Sequence, residues 1–366
     1  MGGCWAVCAE RQGRRVSGKP WTSARVAARR LAGKGEGTGH GRDFPSHHPP
    51  IGVGICQMVT SAFPPRPFPS AAGQIPVIVN PGARSAKAGG RMDDIRSLSA
   101  RVDLLETKGM GDAAQLAEAL ARDGAPLIVA AGGDGTVNEV VNGIVRAGAQ
   151  DRTVLGVLPT GTMNVFAGEL GLACARLDEC WQAITEGQPR TVDLWQMNDT
   201  FFVQLAGVGM DAAIIRGTTW EAKKRWGPLS YILSGLNLRR LPAPMLTVTA
   251  PGHEPMRGTL VLLGNGRHYG GPFPLFPQAV AGDGLLDVLV MPQLGLRDFY
   301  AVGRGMCSGH YAAGRGVRYF QTTGLRVTAD EPVAYEADGE LAGEAPVLDF
   351  VRHGSLRAMA PLPAAR

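Results

Sequence analysis

Five residues set between an apolar run and a helical pattern, Gly132-Gly133-Asp134-Gly135-Thr136, have the composition of an anion-binding turn. Glycines let the backbone approach a phosphate closely, and a helix starting near Val137 would aim its first N–H groups at the anion. Thr136 can donate its hydroxyl or cap that helix. Asp134 does not suit an anion directly, because two negative groups repel. It makes sense through a bound Mg²⁺, or a water on one, that bridges to a phosphate. A plain structural turn is the alternative.

A second turn, Pro159-Thr160-Gly161-Thr162-Met163-Asn164, occupies the same place between an apolar run and a helix. Ligands of open α/β sheets bind at the carboxyl ends of the strands, so the two turns are expected to converge on one nucleotide. A third piece, Asn80-Pro81-Gly82-Ala83-Arg84-Ser85-Ala86-Lys87, closes the first apolar run with two cations. Arg84 or Lys87 could neutralise phosphate charge, or simply be solvated. No Walker-A pattern and no GxGxxG fingerprint stands where either would be needed.

The elements that must hold these turns can be read from periodicity. Apolar runs at 75–80, 126–131 and 154–158 alternate with helical patterns at 112–122, from 137 to about 147, and after 162. Strands apolar on both faces and separated by helices predict a parallel sheet covered on both sides. Beyond about residue 190 the texture changes. Runs at 191–197 and 201–206 flank Asn198-Asp199-Thr200, a hairpin signal. Short strands follow at 245–250, 259–264, 285–291, 325–329, 333–335 and 347–351, with a helical insertion at about 218–241. The fold class is thus α/β: a parallel-sheet nucleotide-binding domain followed by an antiparallel β-sandwich, with the active site in the cleft between them. The boundaries are a leader at 1–73, a nucleotide-binding α/β domain at 74–190, a substrate domain at 191–345, and a strand and tail at 346–366 that could return to the first domain.

The chain has 366 residues and a formal charge of +5, which invites a nucleic-acid partner. That charge is local. Residues 1–73 carry ten Lys or Arg against Glu10, Glu36 and Asp43, whereas the remainder holds 27 basic and 29 acidic residues. The nucleic-acid reading therefore loses its support. The leader mixes Gly, Arg, His and Pro without periodicity, as unpacked chain does. It reads as a basic targeting or tethering segment, or as a dispensable tail with translation starting near Met58. It lacks the apolar segment of a secretory signal, and Gly2 is not followed by the Ser or Thr of a myristoylation site. No apolar run is long enough to span a bilayer as a helix. Cys4, Cys8, Cys56, Cys174, Cys180 and Cys307 form no CxxC pair; the three beyond the leader are expected as buried reduced thiols, consistent with the cytoplasm, without a cysteine metal site.

The sequence resembles the soluble bacterial diacylglycerol-kinase-type lipid kinases, which are related to sphingosine and ceramide kinases. The likeness covers about residues 75–355, with motifs in family order. They are the Asn80-Pro81 loop, GGDGTVNEVVNG at 132–143, PTGTMNVFA at 159–167, GDGLLDV at 282–288, and Asp338-Gly339-Glu340. GGDGT alone is shared with NAD kinases. The second loop and the two late elements make the lipid-kinase likeness specific.

The resemblance implies an ATP site from Asn80, Thr107, Gly132, Gly133, Asp134, Gly135, Thr136, Val137, Asn138 and Thr162. It implies a Mg²⁺ held by Asp283 with the main-chain oxygens of Val280 and Leu285. It places the general base in the DGE element, at Glu340 first, with Asp338 as its metal or hydrogen-bond partner and Asp134 also in the catalytic set. Read without the resemblance, Asp283-Gly284 and Asp338-Gly339 are ordinary turns. One departure is Val165, which stands after Asn164 where many relatives carry an acidic residue, so the acceptor could differ from diacylglycerol. The implied activity is phosphorylation of a hydroxyl of diacylglycerol or a related lipid, as in phospholipid biosynthesis, with a homodimer left open. Trp220, Lys223, Lys224, Arg225 and Trp226, then an apolar stretch at 229–241 with Arg239 and Arg240, suit a segment that docks transiently on a membrane surface. The alternatives are a small-molecule kinase of the NAD kinase type and a non-catalytic nucleotide-binding regulator.

Overall fold

The structure is a computed structural model that describes residues 73–81, 88–98, 100–172, 176–209, 244–271, 273–293, 295–311 and 316–363. The first half alternates strand and helix: β1 (Ile75–Val79), α1 (Ala88–Leu98), β2 (Val102–Glu106), α2 (Asp112–Arg122), β3 (Leu127–Gly132), α3 (Asp134–Arg146), β4 (Val154–Pro159), α4 (Val165–Glu169) and α5 (Leu177–Glu186). Strands lie in the order β2-β1-β3-β4 and all run parallel. Every residue of β3 and β4 is buried, as strands covered by helices on both faces require. The helices meet the sheet through small and branched side chains, Ala113, Ala117 and Ala121 from α2 and Val137, Val140, Val141 and Ile144 from α3. Gly143 is needed for that packing, because a Cβ there would sit 2.7 Å from the Ala117 methyl.

The second half is β5 (Gln188–Met197), β6 (Thr200–Phe202), β7 (Leu205–Gly209), β8 (Leu246–Thr249), β9 (Met256–Gly258), β10 (Leu260–Gly264), β11 (Leu286–Met291), α6 (Leu296–Ser308), β12 (Arg318–Thr322), β13 (Gly324–Ala337) and β14 (Glu340–Ala360). Its pairings are antiparallel, in the order β12-β11-β10-β7-β13-β14, with β5 also on β14 and β8 on β13. The inner faces enclose a second core around Trp195, Phe202, Val208, Val261, Leu263 and Phe350. The alternate residues of β10, Leu260 and Leu262, face a third cluster with Leu275, Phe276 and α6 residues Phe299, Val302 and Met306. Among the described residues no helix is long and apolar enough to cross a membrane.

Three departures from the sequence reading bear on the site. The strands expected at 325–329 and 333–335 are one strand, β13, with register shifts after Thr328 and after Tyr335. The run at 347–351 is part of a 21-residue strand. Residue 346 therefore lies inside β14, which pairs with β13 at one end and, through Arg357 and Ala358, runs parallel to Val154 and Leu155 of β4 at the other. The run expected at 201–206 is broken at Val203-Gln204. Their N–H groups, with that of Leu205, turn away from strand pairing to the carboxylate of Asp338.

Candidate active site

Parallel strands put Thr107, Asn80, Gly132 and the 160–162 turn along one edge, the carboxyl ends of β2, β1, β3 and β4. The backbone N–H of Asn80 donates to Ala131 O at 3.2 Å and that of Thr107 to Val79 O at 2.9 Å, so both continue their strands by one residue. The two glycine turns touch. Thr160 N–H and Gly161 N–H both donate to Gly132 O, at 3.0 and 3.2 Å. A Cβ on Gly161 would collide with Gly133 Cα and lie 2.8 Å from Asn164 Oδ1. A Cβ on Gly132 would collide with the buried side chain of Thr136. These glycines therefore let two backbones close on each other and on whatever lies beyond.

The helix of the first turn starts earlier than periodicity suggested, at Asp134, and its N-cap Gly133 offers no side-chain cap. No N-cap side chain therefore competes for the first-turn N–H groups, as at helix ends that bind phosphate. Asp134 is half-buried and accepts the N–H of Phe166 at 3.1 Å, which ties the first turn to α4 behind the second. Burial raises its pKa and that N–H opposes the rise. Val137 is a core residue and contributes backbone only. Thr162 is exposed on the second turn.

Asn138 is placed differently from the implied nucleotide contact. Its Nδ2 donates to Phe201 O at 3.0 Å and to Asp338 Oδ2 at 2.8 Å, and its Oδ1 accepts from Asn142 Nδ2 at 3.1 Å. Both ends of the amide are used between α3 and the β-half, so Asn138 joins the halves rather than facing the strand edge.

The DGE element is a two-residue hairpin turn. Ala337 pairs with Glu340, and Asp338 and Gly339 have φ of 48° and 87°. Positive φ at both central positions is the type I′ pattern that favours Asp-Gly. Gly339 is half-buried and Glu340 exposed, but Asp338 is not on the surface. Asp338 is only 6% exposed and accepts four N–H groups: Val203 (3.1 Å) and Asn138 Nδ2 (2.8 Å) on Oδ2, Gln204 (2.9 Å) and Leu205 (3.0 Å) on Oδ1. Burial raises its pKa and the four donors oppose that rise. Both oxygens are occupied, so Asp338 is an anchor for the turn and not a proton acceptor. Beneath it, the buried Glu336 accepts the Gly339 N–H at 2.8 Å. The residue so positioned is Glu340. A Cβ built on Gly135 would stand 3.0 Å from Glu340 Oε1, which puts this carboxylate over the first turn of α3.

The GDG element lies against β5. Gly284 N–H donates to the fully buried Asp193 at 2.6 Å, and Arg352 Nε pairs with the same carboxylate at 2.7 Å. Asp283 is exposed, and its Oδ1 accepts the Leu285 N–H at 2.9 Å. Val280 O already accepts two N–H groups, from Gly282 (2.6 Å) and Asp283 (3.2 Å). Two donors fill a carbonyl's lone pairs, so the turn as folded leaves Val280 O without a free lone pair for a cation. Among the described residues no cluster of three His, Cys, Asp or Glu could hold a metal. Two strand positions on, the buried Asp287 is pushed up to about 6 by burial, against hydrogen bonds from Tyr319 and Gln321.

Several structural residues were missed by sequence reasoning. Glu139, inside the first motif, accepts the N–H of Gly111 (2.9 Å) and Ala113 (3.1 Å) and so caps α2 from α3. Asn142 and Asp193 gave no signal because they act on residues far away in sequence, Phe201 for the first and Gly284 and Arg352 for the second. Val165 is buried in α4 and places no carboxylate there. Cys180 is buried and its thiol is pushed up to about 11 by burial, but Cys307 is exposed on α6, unlike the buried thiols expected. Arg84 and Lys87, the segment 218–241 with its Trp and basic residues, Cys4, Cys8, Cys56 and Cys174, and the leader up to residue 72 lie outside the described residues.

Comparison with known proteins assigns both halves to known domains. Residues 74–197 match the diacylglycerol kinase catalytic domain, and residues 205–360 match the YegS C-terminal NAD kinase beta sandwich-like domain. The chain is 30% identical over 249 residues to a diacylglycerol kinase of Bacillus subtilis, covering 66% of this chain and 81% of that one. The chain belongs to the diacylglycerol kinase and YegS family of lipid kinases. Another member, the lipid kinase YegS of Escherichia coli K12, is 32% identical over 214 residues, 55% of this chain and 71% of its own. A diacylglycerol kinase structure from Bacillus anthracis shares the fold, with TM-score 0.60 at 22% identity over 78% of this chain and 96% of its own. The GGDGT turn and the DGE turn fall in different matched domains of this lipid kinase family, yet Gly135 and Glu340 stand together.

Proposed function

We propose that this chain transfers the γ-phosphoryl group of ATP to a hydroxyl of diacylglycerol or a related lipid. The observation that carries the reading is the carboxylate of Glu340 standing at Gly135, the first turn of the helix that would receive the phosphates. A phosphoryl transferase needs a carboxylate near the phosphate end to accept the proton of the attacking hydroxyl, with little further covalent work from the protein. Glu340 takes that role. Asp338 holds the turn, Asp134 locks the two glycine turns together, and the backbone N–H groups of Gly135 and Thr136 lie at the phosphate position. The shapes forced by Gly132 and Gly161 fit a phosphate chain laid along the strand edge. A hard cation suits the donors: Asp134 would hold Mg²⁺ carried on the phosphates, and Asp283 a second one at the GDG turn. Bound there, Mg²⁺ supplies charge neutralisation of the phosphates.

The acceptor would come from a membrane surface, with the basic and Trp-bearing stretch at 220–226 as the docking element and the protein itself cytoplasmic. The test is turnover of γ-labelled ATP on mixed micelles of diacylglycerol, monoacylglycerol, ceramide and sphingosine, with NAD as control. Label in lipid supports the reading. Label in NAD and in no lipid overturns it.

A further inference from the structure

A second polar cluster lies at the end of α4. Glu169, at the end of α4, accepts three hydrogen bonds on Oε1: His268 Nδ1 at 2.6 Å, His268 N–H at 2.8 Å and Gln204 Nε2 at 3.3 Å. The three residues come from α4, the break between β6 and β7, and the loop after β10. None of them belongs to a motif that the sequence marked. The cluster is joined to the proposed site twice. The helix that ends in Glu169 has the Phe166 N–H on Asp134, and the backbone N–H of Gln204 is on Asp338, two residues before Glu340.

Two atoms of this cluster point to a ligand. Gln204 is 2% exposed, and its Nε2 is used twice, on Glu169 and on His268 O at 3.1 Å. Its Oε1, however, has no hydrogen-bond partner among the described residues. A buried acceptor left unpaired costs free energy, so such an atom calls for a donor. Gly266 packs closely against this amide, since a Cβ there would stand 2.5 Å from Nε2 and 2.7 Å from Oε1. His268 is the second atom source. A carboxylate only accepts, so Nδ1 carries the proton toward Glu169, and in the neutral ring Nε2 is an acceptor. Nε2 has no hydrogen bond among the described residues, and the side chain is 32% exposed. The site therefore presents two acceptors held by one glutamate.

We propose that His268, oriented by Glu169, and Gln204 are specificity-determining residues for the acceptor. They would select a lipid bearing a second hydrogen-bond donor, a hydroxyl or an amide N–H, beside the hydroxyl that is phosphorylated. Diacylglycerol offers ester oxygens at those positions, which are acceptors facing acceptors. Monoacylglycerol offers a hydroxyl, and ceramide offers an amide N–H and a hydroxyl. A polar pocket matched to a donor discriminates strongly against an analogue that lacks it, because its own groups are then left unpaired. This inference rests on the lipid-kinase reading and narrows it.

The test is kcat/KM at pH 8 for diacylglycerol, monoacylglycerol and ceramide in mixed micelles. The full chain is compared with His268→Ala, Glu169→Gln and Gln204→Leu. The wild-type chain should favour monoacylglycerol, ceramide or both over diacylglycerol by about tenfold or more. Preference for monoacylglycerol alone identifies the hydroxyl as the donor read, and preference for ceramide alone the amide. His268→Ala should bring that ratio to near one, with KM for ATP unchanged. Glu169→Gln should lower the ratio less, because the ring keeps its place but loses its fixed tautomer. A wild-type preference for diacylglycerol overturns the inference, as does a ratio unmoved by His268→Ala or an equal fall on every acceptor. Labelling of no lipid at all removes the lipid-kinase reading along with it.

Discussion

Gly135→Ala separates the chemistry from the stability of this fold. The substituted Cβ would lie 3.0 Å from Glu340 Oε1, inside the 3.4–4 Å of an ordinary contact, so the carboxylate must retreat by a few tenths of an ångström. Gly135 is in the first turn of α3 and is not among the residues with positive φ, so alanine fits its backbone. Replacing a helical glycine by alanine stabilises by roughly 0.5–1 kcal/mol. For a chain of this size that is a rise in Tm of about 1–4 °C. Positioning is far less tolerant: displacement by about 1 Å of a reacting group costs on the order of 10²-fold, so a shift of a few tenths predicts roughly a tenfold loss in kcat. The assay is paired, a thermal melt and initial rates of lipid phosphorylation at saturating ATP. The expected result is an unchanged or higher Tm with a lower kcat. A variant that melts lower, or that keeps full kcat, refutes the placement of Glu340 over this turn.

Other perturbations test other contacts. Gly132→Ala forces a methyl into the Thr136 side chain and should cost about 1–3 kcal/mol as overpacking, read from the shift in urea midpoint. Asp338→Asn keeps one acceptor oxygen for the four N–H donors and leaves two of them facing an NH₂ group. It should destabilise by roughly 2–5 kcal/mol, and a loss under about 1 kcal/mol would argue against the anchoring role. Asp287, raised to about 6 in the folded chain, binds its proton more tightly there than when unfolded. Its contribution is therefore full below about pH 4 and lost as pH rises to about 6, by at most roughly 3 kcal/mol. Asp287→Asn should flatten that decline in urea unfolding measured between pH 4 and 7, and an unchanged slope would assign the titration elsewhere. Replacing Lys223, Lys224 and Arg225 with Ser should weaken binding to anionic vesicles by roughly 1 kcal/mol per charge, and an unchanged partition coefficient contradicts the docking element.

The parallel half of the fold was legible because its strands are apolar on both faces and its turns are rich in glycine. The residues that make the site work as one body were less so. GGDGT announces an anion turn, but nothing in it shows that Asp134 also ties down α4. Asp338-Gly339 reads locally as a surface turn, and only the chain brought alongside it from 203–205 buries it. Asn138 carried the family's implied role, yet the structure spends its amide on Phe201 and Asp338. Glu169 and His268 are 99 residues apart, and no local pattern could join them. Helix α6 was not foreseen because Gly303 and Gly305 interrupt its pattern. Gly305 is there for packing, since a Cβ would collide with the ring of Tyr311.

The central claim is that the DGE turn brings a proton acceptor to a phosphate turn from the other half of the chain. Glu340→Gln tests it most directly, with ATP binding and phosphoryl transfer to lipid measured on the same preparation. The account predicts ATP affinity within about twofold of the parent chain, and transfer reduced by on the order of 10²–10⁴-fold. Transfer at near the parental rate would contradict it.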